Sequence, residues 1–232
     1  VALLSTALDR ARAWGECALS LAFPWPESEE KEPVTIGPPF CRQCGYPFPA
    51  LAAATEFTCS NCQGRSWYFE WARAACRTEG QVHEAITGFK YRDEYYQLAR
   101  LVPWLTTAFD RHAAGQTWDA LVPVPLYHRR RRTRGFNQAH ELARGLGRAR
   151  RIAVCDCLRR DRETPSQTGL HRTARWENMH GAFQVKGRFD VTGRNLLLID
   201  DVFTTGATTN ACARALGQAG AGRLAVLTVS RS

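Results

Sequence analysis

The chain reads as an α/β protein, a mostly parallel sheet flanked by helices and preceded by a small module stapled through cysteine. Three observations predict this. The runs RNLLLIDDV and RLAVLTVSR are strand-length and continuously apolar at their centres, the pattern of strands covered on both faces. Between them, TTGATTNACARALGQAGA opens at a glycine and keeps helical spacing, which makes a strand–helix–strand unit. Upstream, Cys41-x2-Cys44 and Cys59-x2-Cys62 stand in a stretch too poor in aliphatic residues to build a core of its own.

The remaining elements follow in order. Residues 1–25 have the pattern of an amphipathic helix ending in the turn FPWP, and PESEEKEPVTIGPP (26–39) has linker composition. VHEAITGFKY and YYQLARLVPWLTTAFDRHA place apolar residues at helical intervals. TWDALVPVPL is a short strand closed by prolines, and NQAHELARGLG is a helix. Residues 150–180 are polar and basic with few apolar anchors, as in a long loop or hairpin. The expected division is 1–40 for the N-terminal helix and linker, 41–79 for the cysteine module and 80–232 for the main domain.

Composition limits the function classes. With 232 residues the chain has room for one sizeable core and a satellite. Its mean hydropathy of −0.35 and 44% hydrophobic residues fit a soluble globular protein. No apolar run approaches the roughly 20 residues that span a bilayer. Asp9, Arg10, Arg12 and Glu16 interrupt the apolar start, which lacks the layout of a signal peptide. The net charge of +9 points to an anionic partner without choosing one. It is carried by 28 Arg and three Lys, with Arg129–Arg132 and Arg134 clustered and an acidic run at Glu27, Glu29, Glu30 and Glu32.

Each CxxC puts two thiolates on one tight turn, and two such turns supply four soft ligands for a tetrahedral ion. Cys41, Cys44, Cys59 and Cys62 are therefore the candidate ligands of a structural metal, zinc first, with iron open. Gly45 relaxes the first turn. A complete set of four thiolates leaves no position for catalysis. Cys17 and Cys76 have no CxxC partner, Cys155 and Cys157 are spaced for neither turn, and Cys212 reads as a core residue. Such cysteine usage agrees with a reducing, cytoplasmic location.

The sharpest constellation is LLLIDDVFTTGATT (196–209). Asp200 and Asp201 emerge at the carboxyl end of a buried strand, where open parallel sheets bind ligands. Thr204, Thr205, Gly206, Ala207 and Thr208 then turn into a helix whose free N–H groups can cradle a phosphate. Adjacent carboxylates suit vicinal sugar hydroxyls or a Mg²⁺ ion. Together they point to a phosphorylated ribose. Neither GxGxxG nor GxxxxGK[ST] is present.

An apolar strand, Asp-Asp and Thr-Thr-Gly-Ala-Thr resemble the phosphoribosyl pyrophosphate (PRPP) motif of type I phosphoribosyltransferases. With the four cysteines, GFKYRDEYY (88–96), VPVPLYHRRRRTRGFNQAHELA (122–143), QTGLHRTARWENMHGAF (167–183) and LLLIDDVFTTGATTNACARAL (196–216), the chain is similar to the ComF family. Members of that family are linked to DNA uptake in competent bacteria. The resemblance implies a type I phosphoribosyltransferase-like fold behind a zinc ribbon, and PRPP or a nucleotide bound with Mg²⁺. It implies that Asp200 and Asp201 face the ribose hydroxyls or the metal, and that Thr204–Thr208 hold the 5′-phosphate. Lys90, Arg130 and Arg134 become pyrophosphate candidates. Gln167, Arg172, Arg175 and Asn178 fall on the loop that closes over the site. Only one complete set of four cysteines is visible, where the family often carries two.

If the protein is an enzyme, a nucleophile attacks C1 of PRPP and pyrophosphate leaves, with Asp200, Asp201 and Arg134 as the catalytic candidates. No segment identifies the acceptor. Two other readings compete. HRRRRTRGFNQ, with Tyr127 and Phe136 as stacking groups, could bind single-stranded DNA, and the ribbon could dock a helicase or recombination protein.

Overall fold

A computed structural model describes residues 32–48, 57–161 and 181–232. The expected helix at 1–25, most of the 26–39 linker and the 162–180 stretch lie outside the described residues. Pro33–Ser232 belong to one unit.

Four strands form the main sheet in the order β1 (Ala72–Arg77), β6 (Leu224–Arg231), β5 (Leu196–Phe203) and β2 (Ala120–Pro123). Every neighbouring pair is parallel. The two central strands are the continuous apolar runs of the sequence, because both of their faces are covered. Leu196, Leu198, Leu224 and Val226 point into one buried layer. Leu197, Ile199, Ala225, Leu227 and Val229 point into the other. Burial of each such Leu or Ile stabilises the fold by about 1.5–3 kcal/mol.

Helices α1 (Gly80–Tyr91), α2 (Leu98–His112) and α4 (Gln138–Arg150) cover the second layer. Their buried residues recur at helical spacing, as in Leu101, Leu105, Ala108 and Phe109 of α2. Asn137 caps α4 by accepting from the Ala139 N–H at 3.2 Å, and its Nδ2 donates to Val124 O at 3.1 Å. That second bond folds the RGFNQ segment back onto the end of β2.

The first layer is covered by α5 (Ala207–Gln218), by the four-cysteine module and by an antiparallel pair, β3 (Leu158–Arg160) and β4 (Phe183–Val185). The first strand of this pair falls within the 150–180 stretch and the second just beyond it.

Three sequence expectations change. ARAACR (72–77), within the stretch assigned to the cysteine module, is an edge strand of the main sheet and pairs with β6. HRRRRTR is a short helix, α3 (His128–Arg134), rather than a loop. Phe136 is no stacking group: it is buried, 5.0 Å from Phe89 and 4.5 Å from Tyr95 between ring centroids. Burying that ring stabilises more than exposing it beside arginines would.

Candidate functional site

Strand β5 delivers its acidic pair where the apolar run ends. Side chains alternate along a strand, so Asp200 and Asp201 leave on opposite faces. Asp201 follows Leu197 and Ile199 toward the α1 side, where Lys90 Nζ lies 2.6 Å from its Oδ2. Lys90 stands in the last turn of α1, and a cation suits that end of a helix. Asp200 follows Leu196 and Leu198 into the layer of α5 and the hairpin. There it is half-buried, accepts the Asp201 N–H at 2.9 Å and feels the charge of Arg160 on β3. Burial, and then the charge of Asp201, push the Asp200 carboxyl up to about 8, while Lys90 and Arg160 pull the other way.

Loss of water and a like charge beside Asp200 are what a bound cation or hydroxyl donor would relieve. Asp200 therefore fits a Mg²⁺ ion held with an anionic ligand, whereas Asp201 would join it only on release from Lys90.

The loop follows directly. Gly206 takes φ +79°, in the left-handed region that only glycine enters without strain. A Cβ there would also stand 2.5 Å from the Phe203 ring and 2.8 Å from that of Trp67. Thr205 Oγ1 accepts from Ala207 N–H at 3.4 Å and Thr209 Oγ1 donates to Gly206 O at 3.1 Å, fixing the entry to α5. The first-turn N–H groups of a helix have no intrahelical acceptor, so the loop offers donors beside the carboxylates.

Strand β2 ends next to β5, with Val124 N–H donating to Ile199 O at 2.9 Å. The chain then enters α3, which carries Arg130. Arg134 closes α3, donates to Gln138 Oε1 at 3.3 Å and lies 4.7 Å over the Tyr91 ring. Tyr91 is 68% exposed. The structure thus joins Lys90 to Asp201 and brings Arg134 to the residue after Lys90. Gln167, Arg172, Arg175 and Asn178 lie outside the described residues. Sequence reasoning missed Arg160, since nothing in CLRRD marks one arginine for a carboxylate.

The four cysteines converge. Cys41, Cys44, Cys59 and Cys62 are buried, and their sulfurs lie within 4.8 Å of one another. Each knuckle closes on its own backbone: Gly45 N–H reaches Cys41 O at 2.9 Å, and Cys62 N–H reaches Cys59 O at 2.8 Å. Gly45 takes φ +67°, and a Cβ would meet Ala72 O at 2.7 Å, so no other residue fits this turn. Thiol hydrogen bonds from Cys44 and Cys62 pull Cys41 below the usual thiol range, and the same sharing pushes Cys44 up to about 12. A zinc ion would replace these shared protons. Zn²⁺ with four thiolates is dianionic, and two guanidinium groups stand ready for it. Arg231 Nη2 donates to Cys44 Sγ at 3.3 Å, and Arg73 feels Cys41 and Cys44. Among the described residues, Cys76, Cys155, Cys157 and Cys212 are not in this cluster.

No family model matches the chain. Among curated proteins, it is 30% identical over 200 residues to DNA utilization protein YhgH of Salmonella typhimurium, covering 83% of this chain and 84% of that one. It is 29% identical over 209 residues to Competence protein F of Haemophilus influenzae (84% and 85% covered), and 29% identical over 194 residues to Competence protein ComFC of Bacillus subtilis (83% and 78% covered). The chain belongs to the ComF family.

Among solved structures, this ComF-family chain is similar to a glutamine PRPP amidotransferase from B. subtilis complexed with ADP and GMP. The TM-score is 0.37 and the identity 19%, over 56% of this chain and 25% of that one. It is also similar to UMP synthase of Leishmania donovani, with a TM-score of 0.33, 15% identity and coverage of 61% and 22%. The chain spans about a quarter of the length of either. The main sheet is all-parallel with helices on both faces, the α/β architecture expected from the sequence. No helix among the described residues is long and apolar enough to cross a membrane.

Proposed function

We propose that this ComF-family protein binds PRPP or a nucleotide with Mg²⁺ and acts in DNA uptake during natural transformation. The observation that carries the binding reading is the continuity of three features on one strand end: Lys90 on Asp201, the crowded Asp200 and the Gly206 loop. Asp200 and Asp201 take the ribose hydroxyls and would hold the metal. Thr204–Thr208 take the 5′-phosphate through N–H and hydroxyl donors. Lys90, displaced from Asp201 as ligand enters, turns its charge to the diphosphate, with Arg134 behind it. Mg²⁺ bound with the ligand supplies positive charge against the diphosphate.

Phosphoribosyl transfer to an acceptor is the reaction such a site would run. Its rate would come from placing C1 and from stabilising negative charge on the leaving pyrophosphate. The names of the relatives support the role in competence. Eight described cysteines are all unpaired, which suits the cytoplasm. Calorimetry with PRPP tests the reading: Mg²⁺-dependent binding, abolished by Asp201→Asn, is expected. No binding at millimolar PRPP overturns it.

A second reading has its own observation. Tyr91, Tyr95 and Tyr96 are exposed at 68%, 48% and 50%, the Tyr127 ring lies tilted against His128 at 4.1 Å, and Arg129 and Arg132 are exposed on α3. Aromatic faces among guanidinium groups suit single-stranded DNA. A salt-sensitive affinity that falls with Tyr91→Ala and Arg132→Gln would support this adaptor role, and an unchanged affinity would remove it.

A further inference from the structure

The segment after Cys62 runs over the start of α5, and the contacts there join the two candidate centres. Tyr68 N–H donates to Asn210 Oδ1 at 2.8 Å, and Asn210 Nδ2 donates back to Ser66 O at 3.1 Å. Asn210 is buried one turn into α5, and its own N–H reaches Gly206 O at 2.8 Å. Between Ser66 and Tyr68, the Trp67 ring covers Gly206 so closely that any Cβ would collide with it. Trp67 packs on Phe69 at 5.0 Å, and Phe69 on Phe203 at 6.3 Å.

The other knuckle reaches the other flank of the loop. Arg231, bonded to Cys44 Sγ, lies 4.8 Å over the ring of Phe203, the residue before Thr204. Gln43, between the two cysteines of that knuckle, donates to Phe69 O at 2.9 Å. Both knuckles are thus tied to the loop, one through Ser66–Tyr68 and one through Arg231.

We propose that Trp67 and Asn210 are positioning residues for the Thr204–Thr208 loop, and that metal held by the four cysteines sets how firmly they hold it. The consequence for ligand rests on the reading of this loop as the phosphate cradle. Ser66 is four residues from Cys62, and the intervening Gln63, Gly64 and Arg65 bring no apolar anchor, so the metal turn fixes where that segment starts. A loop held in one conformation binds without the cost of ordering. By linkage, a ligand on the loop must then tighten the metal by the same factor.

Hydrogen exchange on the full zinc-loaded chain tests the positioning, with amides 204–212 as the reporter and 224–229 of β6 as the reference. Asn210→Ala and Trp67→Ala, each retaining zinc, are expected to speed exchange at 204–212 by about tenfold or more and leave 224–229 unchanged. Trp67→Phe should restore protection. Unchanged exchange at 204–212 overturns the proposal, and so does an equal rise in both segments, since the hold would then be that of the whole fold. A second arm follows zinc transfer to a chromogenic chelator with and without PRPP. A shift of the transfer equilibrium toward the protein by about fivefold in the wild type and none in Asn210→Ala is expected. PRPP that binds by calorimetry yet leaves zinc transfer unchanged overturns the coupling. PRPP that fails to bind, with the exchange result as expected, removes the ligand reading and leaves the positioning supported.

Discussion

Lys90 Nζ and Asp201 Oδ2 lie 2.6 Å apart, so α1 closes onto the carboxyl end of the central sheet through one ion pair. Both side chains are largely buried, which makes the loss of either charge costly. Lys90→Met should destabilise the ligand-free protein by about 1–3 kcal/mol, read by urea unfolding at neutral pH. Paired with Asp201→Asn, the same change should cost far less, and a double-mutant cycle measures that coupling. Independent, additive effects would show that the pair carries no energy.

Asp200 predicts the opposite sign. Its folded pKa, about 8, stands above the ordinary 3.8, so the folded state holds a proton that the unfolded state has released between those values. Stability is therefore lost as pH rises through this window. Asp200→Asn should raise the melting temperature, with a gain small near pH 4 and growing toward pH 8. A gain that is flat with pH would contradict the crowding.

His112 sets an acid limit. Burial, then the charges of Arg73 and Arg111, lower its pKa from 6.5 to about 4. The unfolded chain takes up the proton first, so stability present above pH 6.5 is lost as pH falls toward 4. His112 also meets Phe40 edge-on at 5.6 Å. His112→Phe keeps a ring there and should remove about 2 kcal/mol of that acid loss, seen in unfolding curves at pH 7 and pH 4.5.

The metal centre predicts two graded losses. Cys41→Ser should reduce bound zinc, measured by elemental analysis, and lower stability by several kcal/mol. Arg231→Gln removes the donor to Cys44 Sγ and should weaken zinc about 10–100-fold by chelator competition, as outer partners of metal ligands do. A purified protein that is coloured and holds iron would replace zinc in this account without altering the ligand set.

What the sequence made legible are features with a local cause. LLLI and LAVLTV must be strands covered on both faces, because burial on two sides removes the polar alternation. CxxC geometry lies within four residues of chain. Strand β1 escaped because Ala72, Ala74 and Ala75 are too small to make an apolar signal, and only β6 gives them a partner. Of the candidate site, Asp200, Asp201 and the Gly206 loop could be read directly. That Lys90 meets Asp201, that Arg160 faces Asp200 and that Phe136 turns inward are set by packing between distant segments. Arg231 gave no signal at all, for its partner is a sulfur at the other end of the chain.

Among the described residues, β1 meets the Thr35 bridge on one edge and β6 on the other, and the late arrival of β6 also orders events on the ribosome. The strand that continues from the cysteine module has no neighbour in the sheet until the last strand is made. While the intervening chain is being synthesised, the module can gather its ion but cannot seat β1, and the unpaired edge of that segment stays open to wrong partners. Early capture of metal would then keep four reactive thiols out of chance disulfides until β6 arrives.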